Sequence, residues 1–274
     1  MSRESRATPG RKRLLAVIAV ALLAGCAGGP SDPPAGMKVE GLTVKSNAVK
    51  QDMVVKVVVP AGGGEGKPLL VFLHGRGGDE NSYLHDPLFD ALKALGDRAP
   101  VVALPAGDDD KYWHDRDSGD WGRYVTAEVI PQVAEQFGTD RKRVAIGGIS
   151  MGGFGAYDIA AHHPNRFCAV GGHSPAVWRS GGETAPGAFD DAEDFAAHDV
   201  IAEANALDRL PVWLDAGDKD PFQPGDRAFA QALAVVGAAA TVHTWPGEHE
   251  GQYWDAHWRD YLRFYGRELR RCNR

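Results

Sequence analysis

Five residues, Gly148-Ile149-Ser150-Met151-Gly152, constrain this chain more than any other stretch. They follow the apolar run Val144-Ala145-Ile146-Gly147 and lead into Gly153-Phe154-Gly155-Ala156-Tyr157-Asp158-Ile159-Ala160, which reads as helix. Strand, sharp turn and helix form the setting in which Gly-x-Ser-x-Gly presents a nucleophilic hydroxyl. The serine sits on a strained turn, where a Cβ on either flanking glycine would collide. The helix that follows points its first amides at any negative charge forming beside the hydroxyl.

The rest of the chain repeats that strand–helix rhythm. Short Val- and Leu-rich runs recur at 53–59, 69–73, 101–104, 144–148, 167–171, 212–216 and 241–245. Gly, Pro or Asp bounds each, as expected of buried strands. Helical patterns fall at about 82–95, 124–137, 152–162, 227–236 and 253–270. The alternation predicts an α/β fold with a mostly parallel central sheet and helices on both faces. Residues 38–45 and 51–59 have no helix between them and predict an antiparallel hairpin at one edge. Residues 178–200 break the rhythm and read as a small cap or a surface loop. Their acidic cluster, Asp190, Asp191, Glu193 and Asp194, reads as a solvated face.

The N-terminus reads as an export signal. Arg3, Arg6, Arg11, Lys12 and Arg13 precede an apolar run, Leu14 to Ala24, that is too short to span a bilayer. Leu23-Ala24-Gly25-Cys26 follows, and small residues before a cysteine resemble a bacterial lipobox. The expectation is a signal peptide over 1–25, lipidation at Cys26, a flexible tether over 26–37 and a catalytic domain over 38–274. The protein is then anchored on the outer face of the bacterial cell membrane or in the periplasm. After removal of the signal, 25 basic and 36 acidic side chains leave a net charge of −11. An acidic body without a basic stripe argues against nucleic acid as a partner. Export permits a disulfide between Cys168 and Cys272, although Cys168 also reads as a small buried hydrophobe. No Cys-x-x-Cys or His-x-x-x-His spacing points to a metal, and Asp115–Asp120 reads as a polar turn rather than a cation loop. No cofactor is expected.

Three further pieces suit a serine nucleophile. His74-Gly75-Arg76-Gly77-Gly78 follows the strand 69–73, and its backbone amides can face the site. Acyl transfer passes through an oxyanion that needs two N–H donors, assigned here to Met151 and Arg76. After the strand 212–216 come Asp218 and Asp220. Either can orient an imidazole, and Asp220, deeper in the loop beside Phe222, is favoured. After the last strand comes Trp245-Pro246-Gly247-Glu248-His249-Glu250. His249 alone among ten histidines follows the candidate acids in a strand-to-helix loop. The order Ser150, Asp220, His249 is the order of hydrolases of this kind. His74 precedes the nucleophile and reads as structural. Tyr112, Trp113, Trp121, Trp178 and Trp254 are candidates to line an acyl or sugar groove.

On these residues the chain resembles the α/β-hydrolase superfamily, and more closely the esterase D and antigen 85 group, over about residues 50–270. Gly-Ile-Ser-Met-Gly-Gly carries the resemblance, as do Glu248-His249-Glu250-Gly251-Gln252-Tyr253-Trp254 and Trp121-Gly122-Arg123-Tyr124-Val125. The oxyanion loop departs from the Asp-Gly-Leu of the mycolyltransferases and is similar to that of general carboxylesterases. The resemblance implies hydrolysis of a small-molecule or glycolipid ester. Two other readings stay open: an acyltransferase or thioesterase on the same residues, and a binding or adhesion protein that keeps the fold without turnover.

Overall fold

The computed structural model describes residues 30–272. The expected signal peptide, the lipidation site Cys26 and the start of the tether lie outside the described residues. The end of the expected tether is not loose. Ser31 donates its amide to Leu84 O at 2.8 Å, and Met37 is buried.

Eight strands form one sheet: β1 (Lys38–Ser46), β2 (Gln51–Val59), β3 (Leu69–Leu73), β4 (Val101–Pro105), β5 (Val144–Ile149), β6 (Val170–His173), β7 (Val212–Gly217) and β8 (Ala240–Trp245). Their spatial order is β1-β2-β4-β3-β5-β6-β7-β8. β1 pairs antiparallel with β2, and β2 with β4. Every later pairing in this sheet is parallel. This is the α/β-hydrolase sheet with its expected edge hairpin. β3, β4 and β5 are buried along their whole length, as strands covered on both faces must be.

Helices cover both faces. α1 (Asp86–Leu95) and the C-terminal helix α6 (Gly251–Arg271) pack on the side of Leu70 and Phe72. α2 (Ile130–Phe137), α3 (Met151–His162) and α5 (Gln223–Val235) pack on the side of Leu69, Val71 and Leu73. The one-residue alternation along β3 therefore sends side chains into two separate cores. α3 is apolar around its circumference, and eleven of its residues are buried. It is the helix that positions Ser150.

α1 starts at Asp86 rather than near residue 82. Asp79 explains the difference: its backbone carbonyl accepts from the Ser82 amide at 3.2 Å and its carboxylate from the Asn81 amide at 2.9 Å. This side-chain turn competes with the helix, which then begins at Asp86 with Pro87 in its first turn.

Residues 178–200 hold a 3₁₀ turn (Gly181–Glu183) and a short α-helix, α4 (Ala192–Ala197). Of their acidic cluster, Asp190, Asp191 and Glu193 are exposed as expected, and Asp194 turns inward, which corrects the expectation for that residue. Asp191 caps α4 by accepting from the amides of Glu193 and Asp194. Asp190 pairs with Arg116, and the mostly buried Asp194 lies 3.1 Å from His114 Nε2. Cys168 and Cys272 form a disulfide across 104 residues and tie the end of α6 to the segment entering β6.

Candidate active site

Ser150 lies between β5 and α3 with φ 55° and ψ −118°, a region that costs a non-glycine residue on the order of 1–3 kcal/mol. The surroundings enforce this conformation. The Ser150 amide donates to His173 O at 3.0 Å, and Ser150 O accepts from the amides of Phe154 and Ala176 at 3.1 and 3.0 Å. A Cβ on Gly152 would lie 2.1 Å from Leu73 O, and one on Gly148 would lie 2.4 Å from the Gly152 backbone. The motif glycines therefore let β3, β5 and α3 close on one another beneath the hydroxyl.

His249 arrives from the loop between β8 and α6. Its Nε2 lies 2.9 Å from Ser150 Oγ. Its Nδ1 lies 2.9 Å from Asp220 Oδ2. A carboxylate can only accept, so Nδ1 donates and the Nε2 lone pair faces the serine hydroxyl. Asp220 is buried, and its other oxygen accepts from the Phe222 amide at 2.9 Å. Phe222 and Trp254 lie against the imidazole, with ring centroids at 5.1 and 5.2 Å.

Asp218 is not a second acid for His249. Its carboxylate accepts from the Gly247 amide at 3.1 Å, while the Lys219 amide donates to Gly247 O at 3.0 Å. These bonds zip the acid loop to the histidine loop. Asp218 thus helps place His249 without touching it.

The loop after β3 has one amide to spare. Gly75 N–H donates to Tyr83 Oη at 3.2 Å, Gly77 N–H to Asp109 O and Gly78 N–H to Gly75 O, both at 3.0 Å. Among the described residues the Arg76 amide has no such acceptor. The Met151 amide opens α3 and has no carbonyl one turn back. His74 beneath this loop is fully buried. Its Nε2 accepts from the Gly107 amide at 2.9 Å, so the proton sits on Nδ1, which donates to Gly75 O at 2.9 Å. Burial lowers its pKa, and the ring is a neutral brace.

The candidate groove aromatics separate into two groups. Trp113 and Trp121 are closed off from solvent, which corrects their assignment to a substrate groove. Trp113 donates its indole N–H to His74 O at 3.1 Å and packs so tightly on α3 that a Cβ on Gly155 would lie 2.3 Å from it. It is a strut under the loop that follows β3. Trp121 packs on Tyr124 and beside Val49. Tyr112 is buried too, and burial pushes its hydroxyl up to about 12. Trp178 packs on Tyr112 and Phe222, and Trp254 on His249. Trp254 therefore lies directly against the imidazole, whereas Trp178 is buried and meets Phe222, which in turn meets His249.

A second buried network escaped sequence reasoning. Asp215 on β7 is fully buried and accepts from His173 Nδ1 at 2.7 Å, Trp213 Nε1 at 2.6 Å, Tyr253 Oη at 2.8 Å and Tyr261 Oη at 3.1 Å. A charged residue inside the run Val-Trp-Leu-Asp-Ala was its signal. It anchors β6, β7 and α6 directly behind the elbow.

The Esterase family model matches residues 46–265. Esterase MT1326 of Mycobacterium tuberculosis is 24% identical over 222 residues, covering 66% of this chain and 48% of that protein. The chain thus spans about half the length of this curated relative. Among solved structures, an S-formylglutathione hydrolase from Agrobacterium tumefaciens superposes with a TM-score of 0.76 at 20% identity, covering 87% of this chain and 98% of that one. A ferulic acid esterase gives 0.74 at 20% identity, covering 85% and 98%. Mycobacterium tuberculosis MPT51 gives 0.65 at 20% identity, covering 86% and 99%. At these identities the structures establish the shared fold.

Proposed function

The chain belongs to the Esterase family, and from that premise we propose that it is a serine carboxylesterase working through an acyl-enzyme on Ser150. One observation carries the reading: His249 stands 2.9 Å from Ser150 Oγ on one side and 2.9 Å from Asp220 on the other.

In the first half-reaction Ser150 Oγ attacks the ester carbonyl and His249 Nε2 takes its proton. Asp220 holds the tautomer and stabilises the imidazolium. The amides of Met151 and Arg76 receive the oxyanion, each contributing on the order of 10²–10³ in rate. His249 then returns the proton to the leaving alcohol, and in the second half-reaction activates water against the acyl-serine. Phe222 and Trp254, both half-buried, offer apolar surface for the acyl or alcohol group.

Export and lipid anchoring at Cys26 belong to the same proposal. The basic–apolar–Leu-Ala-Gly-Cys order at the N-terminus supports them. So does the Cys168–Cys272 disulfide, since such bonds persist in oxidising compartments.

A panel of p-nitrophenyl esters of varied acyl length tests the reading. The wild type hydrolyses them, and Ser150→Ala lowers kcat/KM by about 10⁶. Residual activity within tenfold of wild type removes Ser150 from its role. Adding an alcohol or sugar acceptor and weighing the products separates hydrolysis from acyl transfer.

A further inference from the structure

His114, Asp194 and His198 converge beneath the 178–200 segment, away from Ser150 in sequence and unused by the reaction. His114 Nε2 lies 3.1 Å from Asp194 Oδ2, and His198 Nε2 lies 3.7 Å from Asp194 Oδ1. The three donor atoms all lie within 4.8 Å of one another. His114 is fully buried, and the Asp194 and His198 side chains are each 12% exposed. Asp194 and His198 are one helical turn apart at α4 and so share a face.

The far side of His198 is what gives the cluster its character. Its Nδ1 donates to Asp158 Oδ1 at 2.7 Å. A carboxylate that takes one imidazole N–H fixes the ring and leaves the opposite nitrogen's lone pair for a cation. Among the described residues the buried Nδ1 of His114 has no partner. Moving that ring's proton to Nδ1 breaks no bond there and exposes the Nε2 lone pair, with the metal bond replacing the one Nε2 makes to Asp194.

We propose that His114 Nε2, His198 Nε2 and the Asp194 carboxylate bind a divalent transition metal, zinc foremost, with Asp158 as the partner that orients His198. Two imidazoles and a carboxylate are a donor set that suits zinc, with a fourth position left for water. Ligand atoms at about 2.0–2.2 Å from a tetrahedral ion lie roughly 3.3 Å apart, and the two distances above straddle that value. Charge favours the same occupant. Asp158 and Asp194 are largely buried, and among the described residues the basic side chains that reach them are imidazoles. A dication relieves that excess of negative charge.

A competing grouping, Asp158, His162 and His198, fits less well. His162 is exposed, and its Nδ1 faces Asp158 O at 2.9 Å, so that nitrogen carries its proton. Asp158 Oδ1 is already engaged by His198.

The ion's role is to staple. Asp158 lies on α3, the helix that Ser150 precedes, and His114 follows Tyr112 and Trp113 directly. Asp194 and His198 come from the segment that carries Trp178 and Phe189. Metal binding fixes that segment over Tyr112 and Phe154, on which Trp178 and Phe189 pack.

The test is zinc titration of the full chain after chelator treatment and dialysis, read by calorimetry, metal content and thermal unfolding. The expected result is one zinc per chain and a Tm that rises with zinc. Cobalt in its place gives visible d–d bands without a thiolate charge-transfer band, which separates this site from the cysteines. Asp194→Asn and His198→Gln abolish stoichiometric binding, and Asp158→Asn weakens it about 10–100-fold. His114 is too deeply buried to be the first substitution, and circular dichroism of the metal-free variants verifies their folds. No stoichiometric zinc on the wild type, or binding unchanged in both Asp194→Asn and His198→Gln, overturns the proposal.

Discussion

His249 Nε2 lies 2.9 Å from Ser150 Oγ although 99 residues separate them in the chain. Two arrangements at the strand ends produce this meeting. One is the strained elbow after β5. The other is the pair of loops after β7 and β8, joined through Asp218 and Gly247. Each has a distinct energetic signature.

Asp220 and Asp218 separate cleanly by function. Asp220→Asn removes the carboxylate that fixes the tautomer of His249, and kcat falls by about 10⁴. Asp218→Asn keeps a side-chain oxygen for the Gly247 amide and stays within about tenfold of wild type. Steady-state kinetics on one ester checks both, and equal losses for the two variants contradict the assignment.

Gly152 is a packing requirement of the elbow. An added Cβ meets Leu73 O at 2.1 Å. Backbone cannot yield as a side chain does, so Gly152→Ala costs about 3 kcal/mol or more, or prevents folding. Gly182→Ala, whose Cβ meets only Ser180 Oγ at 3.9 Å, serves as the neutral control in denaturant unfolding.

The Cys168–Cys272 bond closes a long loop around β6, β7 and β8. Replacing both cysteines with serine lowers stability by about 2–5 kcal/mol. Cys168 lies at the entry of β6, whereas Ser150 and His249 follow the exits of the parallel strands β5 and β8, so kcat at low temperature stays near wild type. A double variant as stable as the parent contradicts this account.

Asp226 on α5 is buried, and both its carboxyl oxygens lack partners among the described residues. Burial raises its pKa well above the ordinary carboxylate value, with the charges of Asp220 and Asp215 adding to the effect. The folded chain therefore keeps a proton that the unfolded chain releases. The stabilisation this gives is complete below about pH 3.9, the unfolded value, and is lost as pH rises toward the raised folded value. Asp226→Asn has no such loss. Urea unfolding is expected to show it more stable than wild type at pH 8, with a smaller difference at pH 4. No gain at pH 8 contradicts the sign.

Much of this was legible in the residues. The strand–helix alternation gave the sheet, because buried parallel strands must be apolar on both faces and bounded by turns. Ser150, Asp220 and His249 were legible because each follows a strand, and strand ends converge at one edge of such a sheet. Trp113 was misread because its role depends on contact with Gly155 and His74 O, which no local pattern encodes. Asp194 was misread for the same reason: its acidic neighbours look solvent-facing, and His114, 80 residues away, is what draws it inward. The disulfide was undetermined because two cysteines do not specify their distance.

The most direct measurement is covalent labelling with a fluorophosphonate, mapped by mass spectrometry of tryptic peptides. The account predicts one phosphonyl adduct, on Ser150, formed by the wild type and lost on denaturation beforehand or in His249→Ala. A wild type that stays unlabelled, or carries the adduct on another residue, contradicts it.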